Sequence, residues 1–301
     1  MNSTLDLENK NKSSVSMLSD FKQLTKFGLS LSVVFSSVAG YILGVDTINW
    51  TTLILLVIGG YMMVGASNAF NQVIERSTDS LMKRTKNRPL PAGRMKVNTA
   101  LTIAFIFTVL GIGILYSINP KSALFGAISI FLYTSAYTPL KPVTPLSVFV
   151  GAIPGAIPFM LGWVAATNHF GIEAGTLFLI QFFWQFPHFW AIAWLQYDEY
   201  KKAGFNLMPM GKKDSQAIKQ IVFYTLVMIL VSIVPVFGQS GALVLHMPSA
   251  IIILLLGLVM LYYAYKLYQE QTDAMARKLM LSSVLYITLI QIIYVLDKLI
   301  Y

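Results

Sequence analysis

Cysteine is absent from this chain, and charged side chains are scarce, at 12% of its 301 residues. The lack of cysteine excludes disulfide bonds and thiolate chemistry. Soluble domains average about 25% charged residues, whereas this sequence is 56% hydrophobic with a mean hydropathy of +0.66. Cys/His metal spacings and the alternating pattern of β-barrel strands are also missing from the sequence. The composition therefore predicts a helical membrane protein.

Apolar runs of about 20 residues, the length that crosses a bilayer as a helix, recur along most of the chain. The predicted spans are residues 24–44, 52–74, 97–118, 121–139, 144–166, 174–196, 216–238, 247–268 and 278–297. We therefore expect one all-α, polytopic membrane domain, residues 24–301, with about nine transmembrane helices in the lipid bilayer. The polar segment before it, residues 1–23, predicts a disordered cytoplasmic leader, because it has no apolar core typical of a signal peptide.

The cationic side chains are distributed unevenly between the predicted loops. All but two of the 22 Lys and Arg residues fall on one side of the membrane if the spans alternate, the exceptions being Lys121 and Lys298. Because positive loops mark the cytoplasmic side, we expect the N-terminus and the two large loops to be cytoplasmic, at the inner membrane of the cell. This topology also explains the net charge of +9 without a nucleic-acid partner.

A stripe of oxygen-bearing side chains leaves the second predicted span. Asn71, Glu75 and Asp79 are four residues apart, and at about 100° per residue they stay on one helix face. Oxygen ligands suit a hard cation such as Mg²⁺. A solvated helix end with an ion pair between Asp79 and Lys83 would give the same pattern. Asn71, however, lies within the apolar run, where polar side chains usually face a cavity, and this favours a metal site.

Cations follow the stripe directly, in the run KRTKNRPLPAGR: Lys83, Arg84, Arg88 and Arg94. Arginine presents a planar fork that matches phosphate oxygens. Lys141 is the one cation of a predicted turn on the same side of the membrane, from which it would reach an anion in a central cavity. Each of these residues would alternatively serve only as a topology signal. A metal beside cations at a membrane edge is the arrangement that binding of a lipid diphosphate requires.

The second large loop begins with another acid pair, Asp198 and Glu199, at the end of the sixth predicted span. A two-metal clamp on a diphosphate needs acids from more than one helix. We therefore predict that this pair faces the first stripe. The alternative is an interfacial acid pair whose charge is offset by Lys201 and Lys202.

His188 lies inside the sixth span, in the aromatic run FFWQFPHFWAIAW. Intramembrane ionisable residues are functional candidates, and Pro187 is expected to open a local pocket beside it. A hydrogen-bonded structural histidine is the alternative. We expect no functional role for His169 and His246, which lie in predicted outer loops.

The segment from Asn71, NQVIERSTDSLMKRTKNRPLPAGR, resembles the first signature of the UbiA-type intramembrane prenyltransferases. Its continuation, MKRTKNRPLPAGR, resembles more narrowly the haem-farnesylating branch of that family. Further matches are YTPLK from Tyr137, GAIPGAIPFMLGW from Gly151, QFPHFWAIAW around His188 and EYKKAGFNLMP from Glu199. The resemblance covers about residues 22–297.

This resemblance implies nine transmembrane helices around a central cavity and Mg²⁺-dependent use of farnesyl diphosphate. The acceptor would be haem b, and the product would reach a terminal oxidase assembly directly or through a haem A synthase. Position by position, it implies a metal motif of Asn71, Glu75 and Asp79 and a basic tail of Arg84 and Arg88. It also implies two further site residues, Glu199 and His188. With the residue patterns, the predicted metal set is Asn71, Glu75, Asp79, Asp198 and Glu199. The predicted substrate-binding set is Lys83, Arg84, Arg88, Lys141 and His188.

Two departures from the family pattern bear on the metal. Glu75 stands where many members of the superfamily have Asp, and a longer side chain shifts the position of the ligand. The second motif is incomplete, because Lys202 and Ala203 occupy the positions where a repeated acid would stand.

The predicted mechanism ionises the diphosphate and shields a farnesyl cation in an apolar cavity. Aromatic faces can stabilise a cation, and the candidates are Phe182, Phe183, Trp184 and Phe186, although such a run is also typical of ordinary packing. Three alternatives remain: a prenyltransferase for a quinone ring or a chlorophyll-type alcohol, a transporter or channel, and a non-catalytic haem chaperone.

Overall fold

The computed structural model describes residues 17–301, and every regular element in that range is helical. The helices are α1 (Met17–Leu24), α2 (Phe27–Leu43), α3 (Trp50–Ile74), α4 (Arg76–Leu81), α5 (Val97–Ile118), α6 (Pro120–Phe131), α7 (Thr138–Leu140), α8 (Ser147–Thr167), α9 (Ile172–Leu195), α10 (Tyr197–Lys202), α11 (Ser215–Ile233), α12 (Met247–Glu270) and α13 (Asp273–Ile300). A π-helical segment, Leu132–Tyr137, joins α6 to α7. The all-α prediction is confirmed for the described residues.

Each predicted span falls on one of the long helices, or on the continuous unit Pro120–Leu140 that contains α6 and α7. Seven helices of the described range are long and apolar enough to cross a membrane, or eight if α1 and α2 form one bent span. Helix α9 has 24 residues, but Gln181, Gln185 and His188 lower its hydropathy. The chain is thus an integral membrane protein, and the count of nine spans stays a prediction.

The long helices pack in chain order into a closed ring. Each one contacts the next, and α13 returns to α2. Helix α8 also packs against α2, and α9 against α13. As a result 78% of the most apolar stretch of α8 is buried, against 17% for α5, whose apolar surface is left for lipid. The ring gathers alternate helix ends on the same side, which brings the two large loops together.

The contact between α2 and α8 depends on glycine. A Cβ atom added to Gly162 would lie 2.0 Å from the Ser37 carbonyl oxygen, and one added to Gly40 would lie 2.0 Å from the Phe159 carbonyl oxygen. Small residues allow helix backbones to approach closely in membranes, where dispersion contacts drive helix association. These glycines therefore set the distance between the two helices.

The two cations that depart from the charge asymmetry have structural partners at the opposite end of the ring. Lys121 Nζ donates to the Asn168 carbonyl oxygen (2.7 Å), and Lys298 Nζ donates to those of Leu43 (2.9 Å) and Val45 (2.6 Å). These carbonyls lie at the ends of α8 and α2, where helix termini leave acceptors unpaired and cations are favourable.

The predicted leader is shortened by α1, which begins at Met17. Asp20 is buried and accepts from Arg94 Nε at 2.9 Å, and Leu24 is fully buried. These contacts order residues 17–23 against the chain after α4, so the prediction of disorder applies only to residues 1–16, which lie outside the described residues.

Candidate active site

The predicted acid stripe lies where α3 passes into α4. The helical bonding continues through the junction, because the Glu75 amide donates to the Asn71 carbonyl (2.9 Å) and the Asp79 amide to the Glu75 carbonyl (2.7 Å). The three side chains are buried, with 1%, 6% and 0% exposure for Asn71, Glu75 and Asp79. They therefore share one inward face of a continuous helical path, as their spacing predicts.

The π-helical segment orients the amide group of Asn71. The Thr138 hydroxyl donates its single hydrogen to the Tyr133 carbonyl (2.8 Å). It must therefore accept from Asn71 Nδ2, which lies 3.3 Å away. The Oδ1 atom of Asn71 points away from this bond and has no hydrogen-bond partner within residues 17–301. The π-helical segment and Thr138 thus orient Asn71 so that its oxygen, and not its nitrogen, is free to bind a ligand.

Lys141 lies at the acid stripe. Its ammonium donates to Glu75 Oε1 at 2.6 Å, and both side chains are less than 10% exposed. The same nitrogen lies 4.5 Å from the centre of the Tyr137 ring and 5.7 Å from that of Phe205. Two aromatic faces and a carboxylate compensate the buried charge, which would otherwise be strongly unfavourable. The turn after α7 therefore delivers a cation to the site.

Asp79 is held by the segment that follows α4. Arg88 donates to Asp79 Oδ2 at 2.7 Å, and the Thr85 hydroxyl donates to the Asp79 carbonyl at 2.8 Å. Burial raises the pKa of Asp79 above its ordinary value, and the Arg88 guanidinium only partly opposes that shift. The other oxygen, Oδ1, is buried without a hydrogen-bond partner in the described range. An unpaired buried acceptor costs roughly 1–3 kcal/mol, which a bound cation would offset.

The remaining oxygens of the stripe suit a hard cation. Asn71 Oδ1, Asp79 Oδ1 and Glu75 Oε2 have no hydrogen-bond partner among residues 17–301, and oxygen atoms of this kind are typical ligands of Mg²⁺. In the same range, no three His, Cys, Asp or Glu side chains form a cluster that would hold a metal. The described residues thus leave free oxygens on two carboxylates and one amide of the stripe, and they do not assemble a cage of carboxylates from both loops.

The acid pair of the second loop meets the first loop in a different way. Glu199 Oε2 accepts from the backbone amide of Lys83 (2.6 Å), and Oε1 accepts from Lys202 (3.0 Å). The bond from the Lys83 amide lowers the pKa of Glu199 below its ordinary value. Asp198 is exposed. The two loops do approach each other, but Glu199 docks on the chain four residues beyond Asp79.

The predicted phosphate-binding cations are placed differently from one another. Arg88 is half-buried beside Asp79, whereas Lys83 and Arg84 are exposed. Arg94 is occupied by structural contacts, since it donates to Asp20 and, at 3.0 Å, to the Asn87 carbonyl. Of the segment after α4, therefore, Arg88 is the cation that lies directly at the stripe.

Polar residues on α3 also bind the break between α1 and α2. Gln72 Nε2 donates to the carbonyls of Gln23 and Leu24, each at 2.9 Å, and Asn68 Nδ2 lies 3.4 Å from the Thr25 carbonyl. The sequence shows both residues as unexpected polar groups in an apolar run. Their partners are backbone carbonyls exposed by the break, and no sequence signal identifies a break of that kind in advance.

His188 lies between α9 and α13. Its Nδ1 atom is 2.8 Å from the Ser283 hydroxyl, and its ring stacks on Trp184 with centroids 4.7 Å apart. The Ser283 hydroxyl donates to the Met280 carbonyl at 2.6 Å, so it accepts from His188. We therefore assign the imidazole hydrogen to Nδ1, which leaves Nε2 with its lone pair. His246, by contrast, bonds to Asp297 at the opposite end of the ring, with Nδ1 3.0 Å from Oδ2.

The aromatic run around His188 divides between two environments. Phe186 is fully buried, with its ring centre 4.5 Å from those of Phe149 and Tyr224. It belongs to the packed core between α8, α9 and α11. Trp184 instead faces α13, where its Nε1 donates to the Ser283 carbonyl at 2.7 Å. Ordinary packing thus accounts for Phe186, while Trp184 shares the surroundings of His188.

The ring of membrane helices thus carries buried acids paired with cations at one end. Residues 33–290 match the UbiA prenyltransferase family, and the chain belongs to that family. It is 67% identical over 285 residues to a relative from Christiangramia forsetii, with 95% of each chain covered. It is 65% identical over 286 residues to a relative from Flavobacterium psychrophilum, covering 94% of this chain and 95% of that one. Both relatives are named protoheme IX farnesyltransferase.

Solved structures share the fold. A structure described as digeranylgeranylglyceryl phosphate synthase superimposes with a TM-score of 0.78 at 17% identity, covering 93% of this chain and 98% of that one. A UbiA homologue from Archaeoglobus fulgidus, bound to GPP and Mg²⁺, gives a TM-score of 0.66 at 15% identity, covering 92% and 99%. At these identities the likeness establishes the helical architecture alone.

Proposed function

We propose that this protein transfers a farnesyl group from farnesyl diphosphate to a vinyl group of haem b, which forms haem O. The observation that carries the proposal is the 67% identity, over 95% of both chains, to a relative named protoheme IX farnesyltransferase. The buried acids at the end of α3, each paired with a cation, supply the groups that departure of a diphosphate requires.

The diphosphate would bind at the acid stripe. Asn71, Glu75 and Asp79 would hold Mg²⁺, which offsets the negative charge that develops on the leaving group. Arg88 and Lys141 each lie within 3 Å of a stripe carboxylate, and from there they would bind the remaining phosphate oxygens. Lys83 and Arg84, exposed at the edge of the site, would attract the anion from solution.

The acids of the second loop take a supporting place in this proposal. Glu199 would hold the second loop against the first through the Lys83 amide, and so close the end of the ring over the diphosphate. Asp198 is exposed and has no contact with the stripe acids in the described residues. We therefore assign metal binding to Asn71, Glu75 and Asp79 and assign loop docking to Glu199.

The reaction balances as a substitution followed by hydration. The C–O bond of farnesyl diphosphate breaks, and the diphosphate leaves with the electron pair. The terminal carbon of the vinyl group forms the new C–C bond, and the positive charge moves to the carbon next to the porphyrin ring. Water adds there and loses a proton, giving the hydroxyethylfarnesyl group. The apolar interior of the ring would exclude water from the farnesyl cation until the C–C bond forms.

Haem b would be recognised through His188. With Nδ1–H donated to Ser283, the Nε2 lone pair is the one that a haem iron requires, since a histidine ligand is fixed by the hydrogen bond at its other nitrogen. The same nitrogen would alternatively orient the porphyrin as a hydrogen-bond acceptor. Trp184, stacked on the imidazole, would limit rotation of the ring in either case.

The position in the cell follows from the charge distribution. We propose nine spans in the inner membrane, with the N-terminus and the acid stripe on the cytoplasmic side. The cations Arg88, Lys141 and Lys213 contact Asp79, Glu75 and Asp273 at one end of the ring, which is the end that the positive-inside rule assigns to the cytoplasm. Haem O would then pass to a haem A synthase or to a terminal oxidase assembly.

The test is a mass spectrum of haems extracted after incubating the purified protein with haem b, farnesyl diphosphate and Mg²⁺, with and without EDTA. A Mg²⁺-dependent species heavier than haem b by one farnesyl group plus water is the expected product. Unmodified haem b in a folded preparation that binds farnesyl diphosphate would contradict the haem assignment and redirect the search to quinone-type acceptors. A protein that binds haem but consumes no diphosphate would support the chaperone alternative.

A further inference from the structure

The backbone break between α1 and α2 contains a strained residue. The two helices are bent by 47°, and Lys26, between them, has φ 47° and ψ 56°, the left-handed conformation. Residues with a Cβ atom rarely adopt this conformation, and when they do the surrounding structure must enforce it. The contacts around the break must therefore hold Lys26 in this conformation.

The break is fixed to the helix that carries the acid stripe. Gln72 and Asn68 of α3 bind the carbonyls of Gln23, Leu24 and Thr25. Ser30 Oγ donates to the Thr25 carbonyl as well, at 2.7 Å. Gln72 directly follows Asn71, and so the hydrogen bonds that hold the break also set its position relative to the first stripe residue.

Lys26 is a surplus cation at the site. Its backbone directly follows the Leu24 and Thr25 carbonyls that Gln72 and Asn68 bind, and its ammonium interacts electrostatically with Glu75, Asp79, Arg88 and Lys141. The two carboxylates already have partners, in Lys141 at 2.6 Å and Arg88 at 2.7 Å. Lys26 Nζ has no hydrogen-bond or ion-pair partner within residues 17–301, and the side chain is half-buried.

When Lys26 is protonated, the five charged groups carry one excess positive charge. A half-buried cation without a counterion is unfavourable, and a bound anion would stabilise it. A prenyl diphosphate with one Mg²⁺ carries excess negative charge and would neutralise the site.

We propose that Lys26 binds the diphosphate of the prenyl substrate from the α1–α2 break, and that Asn68 and Gln72 position it there. This inference rests on the proposed function only in taking a prenyl diphosphate as the substrate. In the sequence, Lys26 is one of the cations that mark the cytoplasmic side, and it lies 45 residues before Asn71. A propionate carboxylate of haem b presents the same anionic oxygens. The diphosphate is favoured because Lys26 shares its surroundings with both stripe acids.

The experiment compares four variants of the full-length protein in detergent. Lys26→Gly removes the ammonium while keeping the left-handed backbone, which glycine adopts without strain. Lys26→Met removes the charge and keeps the bulk, and Lys26→Arg keeps the charge. Lys22→Met is the matched control, since Lys22 is an exposed lysine of α1 only four residues before Lys26. The measurements are calorimetric titrations with inorganic diphosphate plus Mg²⁺ and, separately, absorbance titrations with haem b.

We expect Lys26→Met and Lys26→Gly to weaken diphosphate binding at least tenfold, since a charge-assisted hydrogen bond contributes about that much or more. Lys26→Arg should recover most of the affinity, and Lys22→Met should match the wild type. Haem b affinity should stay unchanged in all four. Lys26→Gly should unfold at a temperature no lower than the wild type, which separates loss of the ammonium from loss of the fold.

Wild-type diphosphate affinity in Lys26→Gly would overturn the proposal and leave Lys26 as a structural residue. Weakened haem binding with intact diphosphate binding would also overturn it, in favour of a propionate contact. Absence of diphosphate binding by the wild-type protein would also overturn the proposal. If haem O synthesis fails in the wild type while diphosphate binding depends on Lys26, the assignment of haem as acceptor is wrong and the role of Lys26 stands.

Discussion

Lys141 donates to Glu75 across 2.6 Å in a part of the molecule where both side chains are almost fully buried. The pair joins the turn after α7 to the end of α3, over 66 residues of sequence. A buried ion pair of this kind gives little net stability, but removal of one member leaves an uncompensated charge. The relationship explains why a lysine that sequence patterns place in an isolated turn belongs to the acid stripe.

Removal of one member of this pair should destabilise the protein more than removal of both. We expect Lys141→Met to lower the free energy of unfolding by about 3–5 kcal/mol, because Glu75 is left buried without its partner. The double variant Glu75→Gln/Lys141→Met should recover much of this loss and remain inactive. The measurements are thermal unfolding in detergent and haem O production. Equal stability of the single and double variants would contradict a direct pairing.

As the pH falls, Mg²⁺ binding should be lost at a higher pH than it would be if Asp79 had the ordinary pKa of an aspartate. Burial raises the pKa of Asp79 above the usual 3.8, and only the ionised carboxylate is a good ligand for Mg²⁺. Folding therefore favours the protonated carboxyl. The contribution of Asp79 to stability is present at low pH and is lost as the pH rises through the raised pKa, while metal affinity changes in the opposite direction.

Calorimetric titration of Mg²⁺ in the presence of diphosphate, at several pH values, measures this effect. Asp79→Asn should abolish the pH-dependent step and most of the transfer activity while the protein still inserts into the membrane. The control is Asp198→Asn, at an exposed acid outside the stripe, which should titrate as the wild type does. A wild-type rate of turnover in Asp79→Asn would exclude a metal role for this residue.

The hydrogen bond from His188 to Ser283 should determine which imidazole nitrogen is available to haem. Ser283→Ala removes the acceptor at Nδ1, and we expect haem b affinity to fall about three- to tenfold, the usual contribution of one neutral hydrogen bond. Ser283→Thr should keep the bond and the affinity. The haem absorbance spectrum and its titration give the comparison, and diphosphate binding should be unchanged in both. If His188→Ala leaves haem affinity and spectrum intact, the histidine is structural.

Replacement of Glu199 by glutamine should reduce activity less than replacement by alanine. Glu199→Gln keeps an oxygen that can accept from the Lys83 amide, now 2.6 Å away, and we expect it to retain most activity. Glu199→Ala loses this contact and should release the second loop, lowering activity several-fold and increasing hydrogen exchange at Lys83. Complete inactivity of the glutamine variant would instead indicate that the carboxylate binds metal.

The glycine contact between α2 and α8 should be intolerant of even one methyl group. Gly162→Ala places its Cβ against the Ser37 carbonyl and should destabilise the protein by about 1–3 kcal/mol, the usual effect of overpacking. Gly113→Ala is the matched control on α5, where no atom lies within 4 Å of the added Cβ. That variant should be neutral or more stable by up to about 1 kcal/mol, because alanine favours a helix. Thermal unfolding of both variants gives the comparison.

Several features of the site could be predicted from local sequence. The four-residue spacing of Asn71, Glu75 and Asp79 sets their common face, because helical periodicity is a local property of the backbone. The proximity of Arg88 to Asp79 is also a local property, because the chain between the two residues is short. Asp198 and Glu199 show the limit of this reasoning, because sequence places them at the right end of a span and does not specify which atoms they contact.

The sequence by itself determined the helical membrane class, the positions of the long helices and the face shared by the acids, since hydrophobic length and helical period operate over one or a few turns. Only the tertiary structure decided that Lys141 pairs with Glu75, that Glu199 binds a backbone amide, that His188 bonds to Ser283, and that Gln72 binds the break next to Lys26. Each of these relationships joins residues from different helices, and such contacts exist only once the ring has closed and brought the helix ends together.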